Sequence, residues 1–167
     1  MDLEQARLDI LNWIADFVEQ PHPKLNNWSP CPFARKARLD NKIKIRRGRD
    51  PYADLMNFVK LEPYDVVVFV YDAAKISAQE FERQVNSVNK TFLSTRNLIA
   101  LSDHPDSPEI VNGVSMNQGT YALIFIQDCE KLNHSAESLA AKGYYQDWPE
   151  DYLQNLFSFR KDPRNAQ

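Results

Sequence analysis

Apolar positions recur along this chain with two distinct periods. Leu3, Ala6, Ile10, Trp13, Ile14 and Phe17 fall three and four residues apart, which predicts an amphipathic helix over residues 3–19. Pro21 and Pro23 end it, and with Pro30 they make residues 20–31 a proline-rich loop; Pro32, a favoured first-turn residue, then opens a short helical stretch. Lys42 to Arg47 alternates charged and apolar residues, the pattern of a strand with one apolar face. Asp50 and Pro51 read as the cap and first turn of a helix running to about Leu61. Tyr64 to Tyr71 contains Val66-Val67-Val68-Phe69-Val70, an unbroken β-branched and aromatic run that predicts a central strand covered on both faces. Ser77 and Glu80 have capping-box spacing and open a helix whose stripe is Phe81, Val85, Val88 and Phe92. Strands follow at Asn97–Leu101 and Tyr121–Ile126. A helix rich in Ala and Leu runs to Lys142, where Gly143 supplies the stop. Asp147 and Glu150 repeat the capping-box spacing ahead of a last helix carrying Tyr152, Leu153, Leu156 and Phe157.

The order α-β-α-β-α-β-β-α-α predicts an α+β fold, a two-layer α/β sandwich of about four strands with extra N- and C-terminal helices. Residues 64–142 read β-α-β-β-α, most of a ferredoxin-like unit, and the strand at 42–47 fits its fourth position as a permuted variant. Residues 1–161 form a single globular domain, and residues 162–167 a polar tail. Two strands lack the polar alternation of a sheet with one wet face. Their second face therefore needs a cover, either the terminal helices or another subunit.

Length and composition agree with this. A chain of 167 residues buries enough surface to need no disulfide or metal for its core. Apolar residues make up 43% and charged residues 26%, ordinary values for a globular protein. No run approaches the roughly 20 apolar residues of a membrane span, and the start Met1-Asp2-Leu3-Glu4 is not that of a secretory signal. Cys31 and Cys129 then read as free thiols in a cytoplasmic, reducing setting. The net charge of −3 conceals an asymmetry. Eight cations between Arg35 and Arg49 are opposed by Asp40 alone, giving that segment +7 and leaving −10 elsewhere.

Three stretches carry candidate chemistry. The connection from Ser102 to Thr120 is longer than hairpin loops usually are, and loops of this length are often functional. It holds Asp103, His104, Asp106, Glu109, Asn112 and Asn117. An Asp103 carboxylate beside His104 would fix its tautomer for acid–base work; a plain turn of Asp, Pro, Asn and Gly accounts for the same residues. Cys31, at the start of the helix opened by Pro32 and one turn from Arg35 and Lys36, would be a thiolate nucleophile; a buried structural thiol is the alternative. The basic segment, with Arg35, Lys36, Arg46 and Arg47, suits a phosphate or carboxylate, or else protects an edge strand from aggregation.

The helix bearing Trp13, followed by a short loop and Cys31-Pro32-Phe33-Ala34, resembles the start of an uncharacterised bacterial domain family that opens with a helix and Asn-Leu-Cys-Pro-Phe-Ala. The resemblance spans about the first forty residues. Ser29-Pro30 stands where that family has Asn-Leu, and the family lends no activity. It implies only that the Cys-Pro-Phe-Ala corner is a fixed feature of the fold.

His22, His104 and His134 show no metal-ligand spacing, and four glycines build no phosphate-cradling loop, so neither metal nor cofactor is expected. The leading functional reading is a small soluble domain that binds or acts on a small anionic ligand. Cys31, His104 and Asp103 would be its catalytic candidates, and Arg35, Lys36, Arg46, Arg47, Asn112 and Asn117 its binding residues. The alternatives are a non-catalytic protein-interaction module and a structural homodimer. Nucleic acid is disfavoured by the overall acidity.

Overall fold

Strand periodicity and helix capping resolve into a mixed α+β architecture in the computed structural model, which describes residues 1–165. The helices are α1 (Leu3–Trp13), α2 (Ala34–Leu39), α3 (Pro51–Met56), α4 (Ala78–Thr91), α5 (Cys129–Ala141) and α6 (Glu150–Leu156). The strands are β1 (Ile43–Arg47), β2 (Val66–Tyr71), β3 (Leu98–Asp103), β4 (Ile110–Val111), β5 (Val114–Ser115) and β6 (Ala122–Asp128). Four of them form one sheet in the order β1-β2-β6-β3, and β4 and β5 pair separately.

The helix starts follow local chemistry. Asp2 accepts from the Glu4 amide at the head of α1, Asp50 from Ala53 at α3, Ser77 from Glu80 at α4 and Asp128 from Lys131 at α5. At α4 only half of the capping box forms, because the Glu80 carboxylate turns to Arg83 and Gln84. At α6 the Asp147–Glu150 box does not form. Pro149 occupies the cap position, and Asp147 instead accepts from Asn26 Nδ2 across 121 residues. The predicted first helix is continuous but changes character, α1 passing into a π-helical turn at Ile14–Val18.

β6 lies between β2 and β3 and is antiparallel to both. β1 takes the fourth position, beside β2, and runs parallel to it. The physical reason is the connection: α3 bridges the two strands as a crossover, and such crossovers join parallel neighbours.

Strand alternation divides the core. Val67, Phe69, Tyr71, Ala122, Ile124 and Ile126 meet α3 and α4 through Leu55, Phe81, Val85 and Val88. On the opposite face, Ile45, Val68, Val70 and Leu123 receive Ala6, Ile10 and Ile14. The N-terminal helix α1 is thus the cover over the β1, β2 and β6 part of that face. A third cluster joins Ala136 and Leu139 of α5 to Tyr144, Tyr145, Leu153 and Phe157. β3 is a sheet edge, and Asn89 of α4 closes part of it: its Nδ2 donates to Ala100 O and its Oδ1 accepts from Ala100 N, both at 2.8 Å.

The expected polar tail is partly structured. Pro163 is buried, and Arg164 pairs with Asp162 and Glu150. Residues 166 and 167 of that expectation lie outside the described residues. No helix among the described residues is long and apolar enough to cross a membrane.

Candidate functional site

The long connection between β3 and β6 is a folded unit rather than an open loop. Asn112 and Gly113, with φ of 51° and 78°, make the tight turn between β4 and β5. Val111 and Val114 anchor that hairpin against Leu25. Asn117 ties the remainder together: its Nδ2 reaches Asp103 Oδ1 at 2.8 Å and Ser107 O at 3.0 Å, while its Oδ1 accepts from the Glu109 amide at 2.7 Å. Asn112 is exposed at the hairpin tip. Both asparagines, expected to face a ligand, instead shape the loop.

Asp103 and His104 are 7% and 3% exposed. His104 does not depend on Asp103 for its tautomer. Its Nε2 donates to Ile76 O at 3.0 Å, and its Nδ1 accepts from the Asp106 amide at 3.1 Å. With both nitrogens engaged by backbone, the ring packs 5.8 Å from Phe81 on the α4 side of the sheet. Asp103 projects to the other side, where Gln118 N and Asn117 donate to it; burial nevertheless raises its carboxyl above the ordinary range.

Cys31 lies behind the π-helical turn, its amide bonded to Val18 O. Burial pushes its thiol up, outweighing the amides of Phe33 and Ala34 that oppose the shift. The thiolate expected from the neighbouring cations is therefore not favoured. The helix behind it has only six residues and begins at Ala34, three positions on. No hydrogen bond joins Cys31 to His104.

The basic segment disperses. Arg38 makes a bidentate pair with Glu19, Lys36 pairs with Asp40, and Arg47 donates to Met1 O. Lys42 donates to Pro63 O, and Lys44 sits 5.7 Å from the centre of the Tyr64 ring.

A cavity of about 1020 Å³ opens on the α1 side of the sheet and continues around the β3 edge. Its floor includes Val68, Phe125, Ile99 and Leu101; Trp13, Val18 and Cys31 form one wall, and Leu132, Trp148 and Tyr152 another. It occupies the space between α1 and the C-terminal helices α5 and α6. Phe33 and Ile110, 46% and 47% exposed, border it as well. Of the predicted site residues, Cys31, Asp103, His104 and Lys36 border this cavity, whereas Arg35, Arg46, Arg47, Asn112 and Asn117 do not.

Its charged lining is mainly acidic: Asp65, Glu82, Asp103, Glu109, Asp128 and Asp151 border it, against Lys36 and Lys131. The anion expected from the basic segment thus meets the wrong sign of charge. Glu109 is the residue that sequence reasoning passed over as one polar group among several. Burial, and next the Asp103 charge, push its carboxyl up to about 7, while Tyr152 Oη, donating to its Oε2 at 3.3 Å, opposes the shift.

Fold and cavity together define a class, an α+β domain with an apolar, acid-ended hollow on one sheet face. Compared with protein-family models, curated proteins and solved structures, the chain matches none.

Proposed function

We propose that this chain is a binding domain for a small, largely apolar molecule held between α1 and the α5–α6 end of the sheet. One observation carries the reading. On the α4 face, Ile124 and Ile126 are sealed, at 0% exposure, and lie away from the hollow. On the opposite face Phe125 and Leu101 stay half-buried beside the hollow. Apolar surface left uncovered inside a fold is favourable ground for an apolar ligand. The volume lies at the upper end of the range for small-molecule sites. The Cys31-Pro32-Phe33-Ala34 corner contributes Cys31 to a wall and Phe33 to the rim, which gives that motif a role in ligand access. Free thiols at Cys31 and Cys129 support a cytoplasmic setting.

The test is titration with Nile red, a neutral apolar fluorophore. The reading expects saturable, blue-shifted emission at one dye per chain. Emission that rises without saturation, or not at all, would contradict it. The alternative, a homodimer that uses the exposed Phe33 and Ile110 as its contact, is favoured only if light scattering gives twice the monomer mass and Nile red fails to bind.

A further inference from the structure

The cavity is not uniform along its length. At the end beneath the β4–β5 hairpin, Glu109 meets Tyr152, whose ring lies 5.6 Å from Trp148 in an edge-to-face arrangement. Both rings, Met116 and Glu109 border the hollow. Glu109 Oε2 accepts from the Tyr152 hydroxyl, and among the described residues no side-chain hydrogen bond reaches Oε1. Asp103 lies at the same end, with one oxygen taken by Asn117 and the other by Gln118. Among the described residues the charges that act on Glu109 are those of Asp103 in β3 and Glu82 in α4, both acidic, while Tyr152 of α6 acts on it through its hydrogen bond. Among the described residues no lysine, arginine or histidine lies within ion-pairing distance of Glu109 or Asp103.

A buried and a half-buried carboxyl group side by side, neither in an ion pair and only Asp103 eased by the neighbouring His104, are costly, and a cation delivered from outside relieves that cost. An anion would add to it. The Trp148 and Tyr152 rings bordering the same end offer a second attraction specific to cations, because the ring quadrupole is negative on its face. The rest of the hollow is apolar, so the cation must carry an apolar body. Among the described residues no three His, Cys, Asp or Glu side chains converge as metal ligands, so the favoured cation is organic.

We propose that the ligand class of this cavity is an apolar amine, its ammonium group resting against Glu109 and the rings of Trp148 and Tyr152 and its hydrocarbon part lying over Phe125 and Leu101. This rests on the reading of the cavity as a ligand site. It goes further by naming the head group and the residue that selects it.

The experiment is displacement of bound Nile red at pH 8 by decylamine, 1-decanol and decanoate, each below its aggregation limit. The wild type should release the dye at about ten-fold lower decylamine than decanol, a difference of about 1.4 kcal/mol, with decanoate weakest. Glu109→Gln should bring decylamine to within about three-fold of decanol while leaving decanol where it was. Tyr152→Phe, which keeps the ring, should retain most of the preference. The inference is overturned if decanol matches decylamine in the wild type, or if Glu109→Gln keeps the full preference. The first comparison needs no variant to fold. Displacement by decanol without amine preference removes this inference alone, whereas failure of the dye and all three compounds to bind removes the ligand site with it.

Discussion

Asn89 shows how a single side chain completes the sheet. It sits beside Val88 on the inner face of α4 and does for β3 what a further strand would, matching both backbone groups of Ala100. Replacing it with Ala leaves a buried amide and a carbonyl without partners, each worth roughly 1–3 kcal/mol. Asn89→Ala should therefore lower the midpoint of urea denaturation with little change in its slope, and a midpoint equal to the wild type's would show that the pairing contributes nothing. Cys31 is the second residue-level case. Its thiol is pushed up by burial, so alkylation by iodoacetamide near neutral pH should be slower than that of an unhindered thiol, with a pH profile displaced upward. Peptide mass spectrometry of a timed labelling series measures both. Caps such as Asp50 and Ser77 were legible because their partners lie within three residues. Asn89 was not, because an asparagine in a helix reads as solvent-facing until β3 is placed beside it.

At the scale of elements, the β4–β5 hairpin and its neighbour Glu109 govern the polar end of the cavity. The Asn112-Gly113 turn between Ile110-Val111 and Val114-Ser115 is a hairpin signal present in the sequence. It was submerged in the view of residues 102–120 as one long loop. The direction of β1 was not legible at all, since alternation shows which face a residue takes but not which way the strand runs. Glu109 gives this element a pH signature. Its folded pKa is raised to about 7 from an ordinary 4.5, so the folded chain holds this proton more tightly than the unfolded one. The carboxyl therefore contributes a destabilisation that grows as pH rises from about 4.5 to about 7 and is complete above that. Glu109→Gln removes the charge. The variant should be more stable than the wild type at pH 8 by something on the order of 2–3 kcal/mol, and the gap should close near pH 5. Urea denaturation at the two pH values checks this, and a gap that stays constant would show that Glu109 does not titrate differently on folding.

The whole molecule is organised by a sheet whose two faces are covered unequally. Uninterrupted apolar runs in β2 and β6 required cover on both sides, and that much followed from the chain itself. Whether α1 and the C-terminal helices would meet over the sheet or leave a gap did not, because it depends on packing between residues more than a hundred positions apart, such as Tyr144 with Ser29 and Tyr121 with Asp9. The same dependence explains the candidate site. Cys31 and His104 do border one hollow, but from opposite sides of the sheet, and the arginines that are close to Cys31 in sequence face elsewhere.

Leu101 on the cavity floor offers the most direct test of that unequal cover. Leu101→Trp places an indole in the hollow, where a sealed core would clash and an open one would accept it. Nile red titration of the wild type and Leu101→Trp, with thermal melts in parallel, should give saturable one-to-one binding for the first, binding weakened by about ten-fold or more for the second, and a melting temperature no lower than the wild type's. Equal dye binding by both proteins, or a Leu101→Trp chain that melts well below the wild type, would contradict the existence of a ligand cavity on this face.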